Sequence, residues 1–263
     1  MKRRSFALAL CAALLTPTAH AASLSVADTT LDYAACRVVE NTTYVPVRAV
    51  AQALRPAAQV SWTGEAAMVR DDGLVLVARP GDDYMVCNGS YYYVPSGVLL
   101  DSGSTLVPAR TLAAALGAGV DWNAATGAVT LTAARDVPTA DQDPDSLYWL
   151  SRIISAESRG EPMAGKIAVG NVVLNRVAST QFPDTIYGVI FDERWGGQFE
   201  PVRNGTVFDD PTEESVTAAR LCLSGANTVG QSLYFLAPAL TDDHWTMDNR
   251  TYVATIGAHW FYL

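Results

Sequence analysis

Residues 148–162 have the sequence YWLSRIISAESRGEP, and this stretch decides the fold of the C-terminal half of the chain. Leu147, Leu150, Ile154 and Glu157 are spaced three, four and three residues apart, so they share one face of a helix. The Gly/Pro break that follows Glu157 predicts that the helix ends there. Glu157 is therefore predicted at the mouth of a helix, in line with an apolar stripe.

A carboxylate on an apolar helix face is partly removed from water, which raises its pKa toward the range useful for proton transfer at neutral pH. Glu157 is thus a candidate general acid in a cleft wall. Two plainer interpretations stay open from the spacing alone, because perturbed carboxylates also occur in structural ion pairs. Glu157 could be a surface glutamate, or it could pair with Arg152 or Arg159.

Several blocks along residues 147–263 resemble the SleB-type cell wall hydrolase family, which includes the spore cortex-lytic enzymes. The first block is ISAESRGEP, and a predicted buried helix follows it at 164–177, with the sequence AGKIAVGNVVLNRV. Later blocks occur in the family's order: FPDTIYGVI at 182–190, Gln198-Phe199, SLYF at 232–235 and IGAHWFY at 256–262.

The resemblance implies an α+β protein with a lysozyme-like, mainly helical catalytic domain and a small sheet. It implies cleavage of peptidoglycan glycan strands, by a lytic transglycosylase or a muramidase, without a cofactor or a metal. Glu157 would be the catalytic acid, and the substrate-binding candidates are Glu161, Gln198, Phe199, Tyr234 and Phe235. The residues themselves favour a sugar-binding loop at Gln198-Phe199, since an aromatic face suits a pyranose ring and an amide suits its hydroxyls.

Glu200 departs from the family pattern, in which a Ser or Thr usually follows the Gln-Phe pair. It could be a second carboxylate near Glu157, as ordinary glycosidases require, or a solvated loop acid. Because the sequence marks no equal partner for Glu157, a transglycosylase with one acid/base residue fits better than a hydrolase with two.

Two other functions remain as alternatives: an N-acetylmuramoyl-L-alanine amidase or peptidase, and a non-catalytic wall-binding protein. A zinc amidase needs about three protein ligands, and only His244 and His259 lie beyond the predicted signal. A thiol peptidase would need Cys222 beside a histidine, yet Cys222 lies within a predicted helix with no histidine nearby in sequence. The intact ESRGEP block disfavours a non-catalytic domain.

Residues 22–133 are predicted to form a β-rich α+β stalk with an internal repeat. YVPVR at 44–48 with an Ala-rich helix and VSW at 60–62 corresponds to LVPAR at 106–110 with its own helix and VDW at 120–122. This region resembles the copper amine oxidase N-terminal-like domain. It contains no histidine, so a histidine copper site is excluded there, and we expect a spacer or a wall contact, with Tyr91, Tyr92 and Tyr93 as glycan candidates or as strand residues facing the core.

Residues 1–21 have the basic start, the short apolar stretch and the Ala-His-Ala end of a signal peptide, which predicts a secreted protein associated with the cell wall or spore cortex. Residues 134–145, rich in Asp and Pro, are predicted to link the stalk to a hydrolase domain at 146–263. The formal net charge of −9 disfavours nucleic-acid partners, and no segment predicts a membrane span.

Three cysteines lie beyond the signal. Cys36 and Cys87 could form a disulfide within the stalk, leaving Cys222 free, or all three could be small core residues.

Local signals predict where further elements begin. Asp143 can cap the helix that carries Glu157, and Pro144 suits its first position. Asp210-Pro211 is predicted to start another helix, and the acidic segment 238–250 is predicted to form a loop. Residues 128–132 alternate with period two, which predicts a strand.

Overall fold

The computed structural model describes residues 23–26, 29–132, 142–194, 197–241 and 244–263. The predicted signal peptide and most of the predicted linker lie outside these ranges. Within them, the N-terminal part is built from three sheets and two short helices, and the C-terminal part is mainly helical with one small sheet. The α+β prediction, with a β-rich N-terminal part and a helical C-terminal part, is confirmed.

The N-terminal part contains two four-stranded sheets and one five-stranded sheet. The first sheet has the order β12 (Val120–Asn123), β13 (Ala128–Leu131), β1 (Leu24–Val26), β2 (Thr29–Leu31). The second has the order β10 (Leu99–Asp101), β11 (Ser104–Pro108), β4 (Thr42–Pro46), β3 (Arg37–Val39). The third runs in sequence order: β5 (Gln59–Trp62), β6 (Ala67–Asp71), β7 (Leu74–Ala78), β8 (Tyr84–Cys87), β9 (Ser90–Tyr93).

The two segments predicted to be repeats have the same order of elements. Strand β4 leads into helix α1 (Val47–Leu54) and then β5, and strand β11 leads into helix α2 (Ala109–Ala115) and then β12. Strands β4 and β11 pair antiparallel in the middle of their sheet, with Val45 opposite Val107. The internal repeat itself stays a prediction from the sequence.

Six helices and a three-stranded sheet form the C-terminal part that the structure describes. The helices are α3 (Pro144–Ser158), α4 (Met163–Val177), α5 (Ile186–Ile190), α6 (Glu200–Asn204), α7 (Glu213–Leu223) and α8 (His244–Asn249). The sheet has the order β14 (Tyr234–Leu236), β16 (His259–Tyr262), β15 (Tyr252–Ile256), all antiparallel. Helices α3, α4 and α7 pack on one another and enclose a single apolar core.

Helix α3 starts where the sequence predicts. Asp143 accepts a hydrogen bond from the Ser146 backbone amide at 2.8 Å, and Pro144 occupies the first helical position, where no amide donor is needed. The helix continues to Ser158 and thereby carries Glu157 in its last turn. The cap fixes where the helix begins, so the register of Glu157 relative to the core follows from it.

Close packing of α3 against α4 depends on Gly170. A Cβ atom there would lie 2.8 Å from Ile154 Cδ1 and 2.7 Å from Cys222 Sγ, too close for any side chain. The glycine therefore lets the helix that carries Glu157 approach α4 closely. All three cysteines in the described residues are buried and unpaired, so the second of the two cysteine interpretations is observed.

Two local predictions were wrong. A helix was predicted to begin at Asp210 and Pro211, but α7 begins at Glu213, because the Thr212 hydroxyl caps the Ser215 amide. The segment at 238–250 was predicted as a loop, but it contains α8, and the guanidinium of Arg250, just after the helix, lies over the Trp245 ring.

Candidate active site

Glu157 lies in the last turn of α3, immediately after the buried residues Ile153, Ile154 and Ser155. Its carboxyl group is largely buried, and this burial raises its pKa from the ordinary value of 4.5 to about 7. The charge of Arg176 opposes the shift, and the negative charge of Glu200 adds to it. At neutral pH the group is therefore close to half protonated, so it can give up a proton and take one back.

Neither of the two plainer interpretations of Glu157 matches the contacts of its neighbours. Arg152 points to Asp210, with 3.1 Å between Nη2 and Oδ1, and it also lies over the Tyr148 ring. Arg159 is exposed at the end of the helix. The cation that acts on Glu157 comes instead from α4.

Arg176 of α4 is that cation, and it is only 5 % exposed. Its Nε donates to the Leu233 carbonyl at 2.8 Å, while its Nη1 is buried with no hydrogen-bond partner among the described residues. Burial lowers the pKa of Arg176 to about 10, against the opposing influence of Tyr234, Asp192 and Glu157. The guanidinium thus remains charged at neutral pH and faces Glu157 as a fixed positive group.

Aromatic side chains surround this guanidinium. Its Cζ lies 5.0 Å from the ring centroid of Phe182, 5.2 Å from that of Phe199 and 5.7 Å from that of Tyr234. Such contacts favour a buried cation because the ring faces carry partial negative charge. Phe199 also lies 6.4 Å from Phe235, centroid to centroid. Two of the substrate-binding candidates, Phe199 and Tyr234, therefore lie around one buried charge, and a third, Phe235, packs beside Phe199.

The remaining candidates are placed differently. Gln198 is partly exposed and donates from Nε2 to the Arg194 carbonyl at 3.2 Å. Tyr234 also lies beneath the Arg250 guanidinium, with 4.2 Å from Cζ to its centroid. Both retain surface that a bound sugar could contact, and their assignment as substrate-binding residues stays a prediction.

Glu161 is used within the fold. Its Oε2 accepts the Ala258 backbone amide at 3.0 Å, and its Oε1 lies 3.9 Å from His259 Nδ1. Burial lowers the pKa of His259, against the opposing charge of Glu161, so the ring is mostly neutral at pH 7. The second acid of ESRGEP therefore ties the turn after α3 to the turn between β15 and β16, and these contacts favour a structural role over sugar binding.

Glu200 is exposed and forms an ion pair with Arg203 one turn along α6. It is close enough for its charge to raise the pKa of Glu157. Both interpretations of Glu200 made from the sequence stay open, because an exposed acid near the site can still be mobile enough to take part.

Sequence reasoning missed Arg176. It lies on a helix that is apolar on nearly every face, and the one available signal was that a buried arginine almost always has a functional or ionic partner. Nothing in the spacing connects Arg176 with Glu157, nineteen positions earlier by their numbers in the chain. Among the described residues, no group of three or more His, Cys, Asp or Glu side chains is arranged to hold a metal ion.

Two family models match the chain. The Cell Wall Hydrolase model matches residues 160–262, and the Copper amine oxidase N-terminal domain model matches residues 26–132. Residues 160–262 are therefore similar to the cell wall hydrolase family, and the segment before them is similar to the copper amine oxidase N-terminal domain. Glu157 lies three residues before the segment that the Cell Wall Hydrolase model matches, which begins at residue 160.

Curated relatives are spore cortex-lytic enzymes. The chain is 36 % identical over 126 residues to that of Bacillus cereus, which covers 48 % of this chain and 47 % of the relative. It is 31 % identical over 117 residues to that of Bacillus subtilis, covering 44 % and 37 %. The chain spans about half the length of the curated relatives that it matches.

A solved structure is also similar. The catalytic domain of the germination-specific lytic transglycosylase SleB from Bacillus anthracis is 33 % identical, with a TM-score of 0.43, and the match covers 48 % of this chain and all of that domain. Within the ranges that the structure of our chain describes, no helix combines the length and apolar character needed to cross a membrane.

Proposed function

We propose that this protein cleaves the glycan strands of peptidoglycan, with Glu157 as the general acid and base. One observation carries the proposal: a largely buried carboxyl whose pKa is raised to about 7 beside a buried, charged arginine with an unused donor. The similarity to spore cortex-lytic enzymes supports cortex or cell wall peptidoglycan as the substrate. The predicted signal peptide supports secretion to the same compartment.

The reaction begins with Glu157 protonated. It donates its proton to the glycosidic oxygen, the bond from that oxygen to C1 breaks, and positive charge develops on the sugar ring. Glu157 is then a carboxylate, which Arg176 stabilises. The muramic acid C6 hydroxyl attacks C1, and its proton returns to Glu157, which gives a 1,6-anhydro end and restores the starting state.

A hydrolytic outcome differs only in the nucleophile. Water would replace the C6 hydroxyl and leave a reducing end, which usually requires a second carboxylate to activate the water. Glu200 is the carboxylate whose charge acts on Glu157, but it is exposed and paired with Arg203. This arrangement favours the intramolecular attack, and we propose a lytic transglycosylase over a muramidase.

Neither a thiol peptidase nor an inert wall-binding protein is supported. Cys222 is buried, with its Sγ packed 3.4 Å from the Ile167 carbonyl, and burial raises its pKa far above the range of a reactive thiolate. In a non-catalytic domain nothing would offset the free-energy cost of a buried carboxyl such as that of Glu157. The copper amine oxidase N-terminal domain is proposed to contact the wall and hold the enzyme on it.

The test uses the mature chain and purified sacculi. Glu157→Gln should bind sacculi normally and lose at least about 1,000-fold in turnover, because the amide cannot donate a proton to the leaving oxygen. Glu213→Gln, an exposed acid in the first turn of α7, is the matched control and should keep full activity. Near-normal release of soluble fragments by Glu157→Gln would rule out the proposal, and mass spectrometry would separate anhydro from reducing ends.

A further inference from the structure

The N-terminal domain contains two surface pockets outside the candidate active site. One, with a volume of about 380 Å³, has Pro46, Arg48, Trp62, Ser104 and Thr105 among its lining residues. The other, of about 310 Å³, has Pro108, Arg110, Trp122, Thr42 and Thr43 among its lining residues.

The two pockets match at the positions just named. Each has the proline that ends a central strand, an exposed arginine on the first turn of the following helix, and a tryptophan on the strand after that helix. Each is closed by two hydroxyl side chains from the other central strand. Each pocket thus takes its proline from one central strand and its hydroxyl side chains from the other. The antiparallel pairing of β4 with β11 explains this, since each strand starts beside the end of its partner.

The side chains of both tryptophans are largely exposed to solvent. Trp62 is 47 % exposed and Trp122 is 57 % exposed, and both lie on a pocket wall rather than in a core. A single exposed aromatic residue needs no explanation. Two at corresponding places, each beside an arginine and two hydroxyls, form a pattern that packing alone does not require.

The chemistry of each pocket fits a sugar. An open indole offers a flat apolar face to one side of a pyranose ring, and the arginine and hydroxyls offer hydrogen bonds to ring substituents. Arg48 is held in place because its Nη1 donates to the Val60 carbonyl at 2.7 Å, which leaves its other donors for a ligand.

We propose that these pockets are two equivalent binding sites for the glycan strand of peptidoglycan, built on Trp62 with Arg48 and on Trp122 with Arg110. This inference rests on the proposed function for the identity of the polymer. It replaces Tyr91 and Tyr93 as the glycan-contacting residues of the stalk, because these side chains pack against the hydrolase domain's core instead. Tyr92 packs into the stalk's own core.

Two sites on one rigid domain should act together on a polymer. Once one site holds a strand, the other meets the same strand at a high effective concentration, so the pair binds far more tightly than either alone. Soluble short fragments, which reach one site at a time, gain none of this. The proposal therefore predicts weak binding of short sugars, strong binding of sacculi, and equal importance of the two tryptophans.

The experiment measures binding to purified sacculi by co-sedimentation, with every variant made in the Glu157→Gln background so that the polymer stays intact. Trp62→Ala and Trp122→Ala should each weaken binding at least about 10-fold and to a similar extent, and the double variant at least about 100-fold. The control is Val75→Ala, an exposed apolar residue of β7 that lines neither pocket and should bind as the parent does.

Trp→Tyr substitutions and an activity measurement separate loss of the two pockets from loss of catalysis. Trp62→Tyr and Trp122→Tyr should retain most of the binding if a flat ring is what the site supplies. In the active background, Trp62→Ala with Trp122→Ala should still cleave short soluble glycan fragments at the parent rate, so loss of the stalk sites is separable from failure of the proposed activity. Unchanged sacculus binding by the double variant, or an effect at only one tryptophan, would overturn the proposal, as would tighter binding to a proline-rich peptide than to sacculi.

Discussion

Glu157 shows how much one buried carboxyl can influence stability. Its pKa is raised from 4.5 to about 7 in the folded chain, so the folded state holds its proton where the unfolded state has already lost it. The stabilising contribution is fully present below pH 4.5 and is lost as the pH rises to about 7. Above that range the buried charge costs about 3–4 kcal/mol, since each pKa unit between 4.5 and about 7 corresponds to about 1.4 kcal/mol.

We therefore expect Glu157→Gln to be more stable than the parent at pH 8 and about equally stable at pH 4. The neutral amide keeps the shape of the side chain but never ionises, so it avoids the cost of a buried charge. Urea unfolding at both pH values would measure this. Equal free energies of unfolding for the two proteins at pH 8 would show that the carboxyl is not buried in solution as it is here.

Arg176 should set the pH range of the enzyme. Its charge lowers the pKa of Glu157, while Glu200 raises it, so removing the arginine leaves burial and Glu200 unopposed. Arg176→Met is expected to shift the pH–rate profile to higher pH and to lower kcat more than it raises KM. The reason is that the carboxylate formed after proton donation loses its stabilising cation.

The matched control is Arg152→Met on α3, which removes a mostly buried arginine that pairs with Asp210 rather than acting on Glu157. It should leave the pH profile in place. Arg176→Lys should restore part of the shift, since it returns the charge without the planar donor group. A profile that does not move in Arg176→Met, with the fold intact by circular dichroism, would contradict the assignment.

Of Glu157 and Arg176, only Glu157 was singled out as a site residue from the sequence. The place of Glu157 on an apolar helix face predicted its burial, which is the largest cause of its pKa shift, while its role as catalytic acid was implied by the family resemblance of the ESRGEP block. Arg176 could not be linked to it, since the contact depends on how α3 crosses α4 and on where the Leu233 carbonyl lies. Such contacts are set by tertiary packing, and periodicity within one helix carries no signal for them.

At the level of elements, the tie between the ESRGEP turn and the β15–β16 turn depends on Gly257. Its φ of +57° lies in the left-handed region, and a Cβ there would overlap Glu161 Oε2. Gly257→Ala should therefore destabilise the protein through both backbone strain and displacement of the Glu161 carboxylate. We expect a loss of about 2–4 kcal/mol in the free energy of unfolding, measured with urea.

Gly230→Ala separates the two causes. Gly230 has the same φ of +57° but nothing within 4 Å of its Cβ position, so the substitution adds strain without a clash. It should cost about 1 kcal/mol. In a Glu161→Ala background, Gly257→Ala should cost no more than Gly230→Ala does. If Gly257→Ala lowers the free energy of unfolding no more than Gly230→Ala does in the parent chain, the contact between Glu161 and the Ala258 amide contributes little to stability.

Elements with strong local signals were predicted best. The start of α3 followed from its Asp and Pro, and the strand β13 from its period-two alternation. The start of α7 was missed by two residues because a proline at the first helical position and a threonine cap gave competing signals at 211 and 212. Helix α8 was missed because a six-residue helix in a polar segment has no periodicity to detect.

At the scale of the whole molecule, the contact between the two parts of the chain was not predicted from the sequence. The sequence predicts a linker at 134–145 and carries no signal for what the two parts touch, and in the structure the edge strand β9 packs on helix α7. The Tyr91 amide donates to Ser224 Oγ at 3.1 Å across a separation of 133 residues. The Arg220 guanidinium lies over the Tyr91 ring, and Gln142 donates to the Arg220 carbonyl. No local pattern predicts pairs so far apart in the chain.

This interface should make the two domains unfold together. Tyr91 stacks on Tyr84 and packs against the core of the hydrolase domain, so Tyr91→Ala removes apolar contact and the cation–π partner of Arg220 in one step. We expect the parent to show one transition in differential scanning calorimetry and Tyr91→Ala to show two, because each domain keeps its own core while losing about 1–3 kcal/mol of coupling.

Tyr92→Ala distinguishes coupling from simple destabilisation. Tyr92 packs into the stalk's own core, so its loss should lower the melting temperature while the two domains continue to unfold together. If Tyr91→Ala also melts in one transition at a lower temperature, the interface adds stability without joining the domains. Two separate transitions in Tyr91→Ala would show that this interface joins the two domains in the parent. The proposed glycan pockets would then lie at a fixed distance from Glu157, and a strand bound in them would set which glycosidic bond reaches that carboxyl.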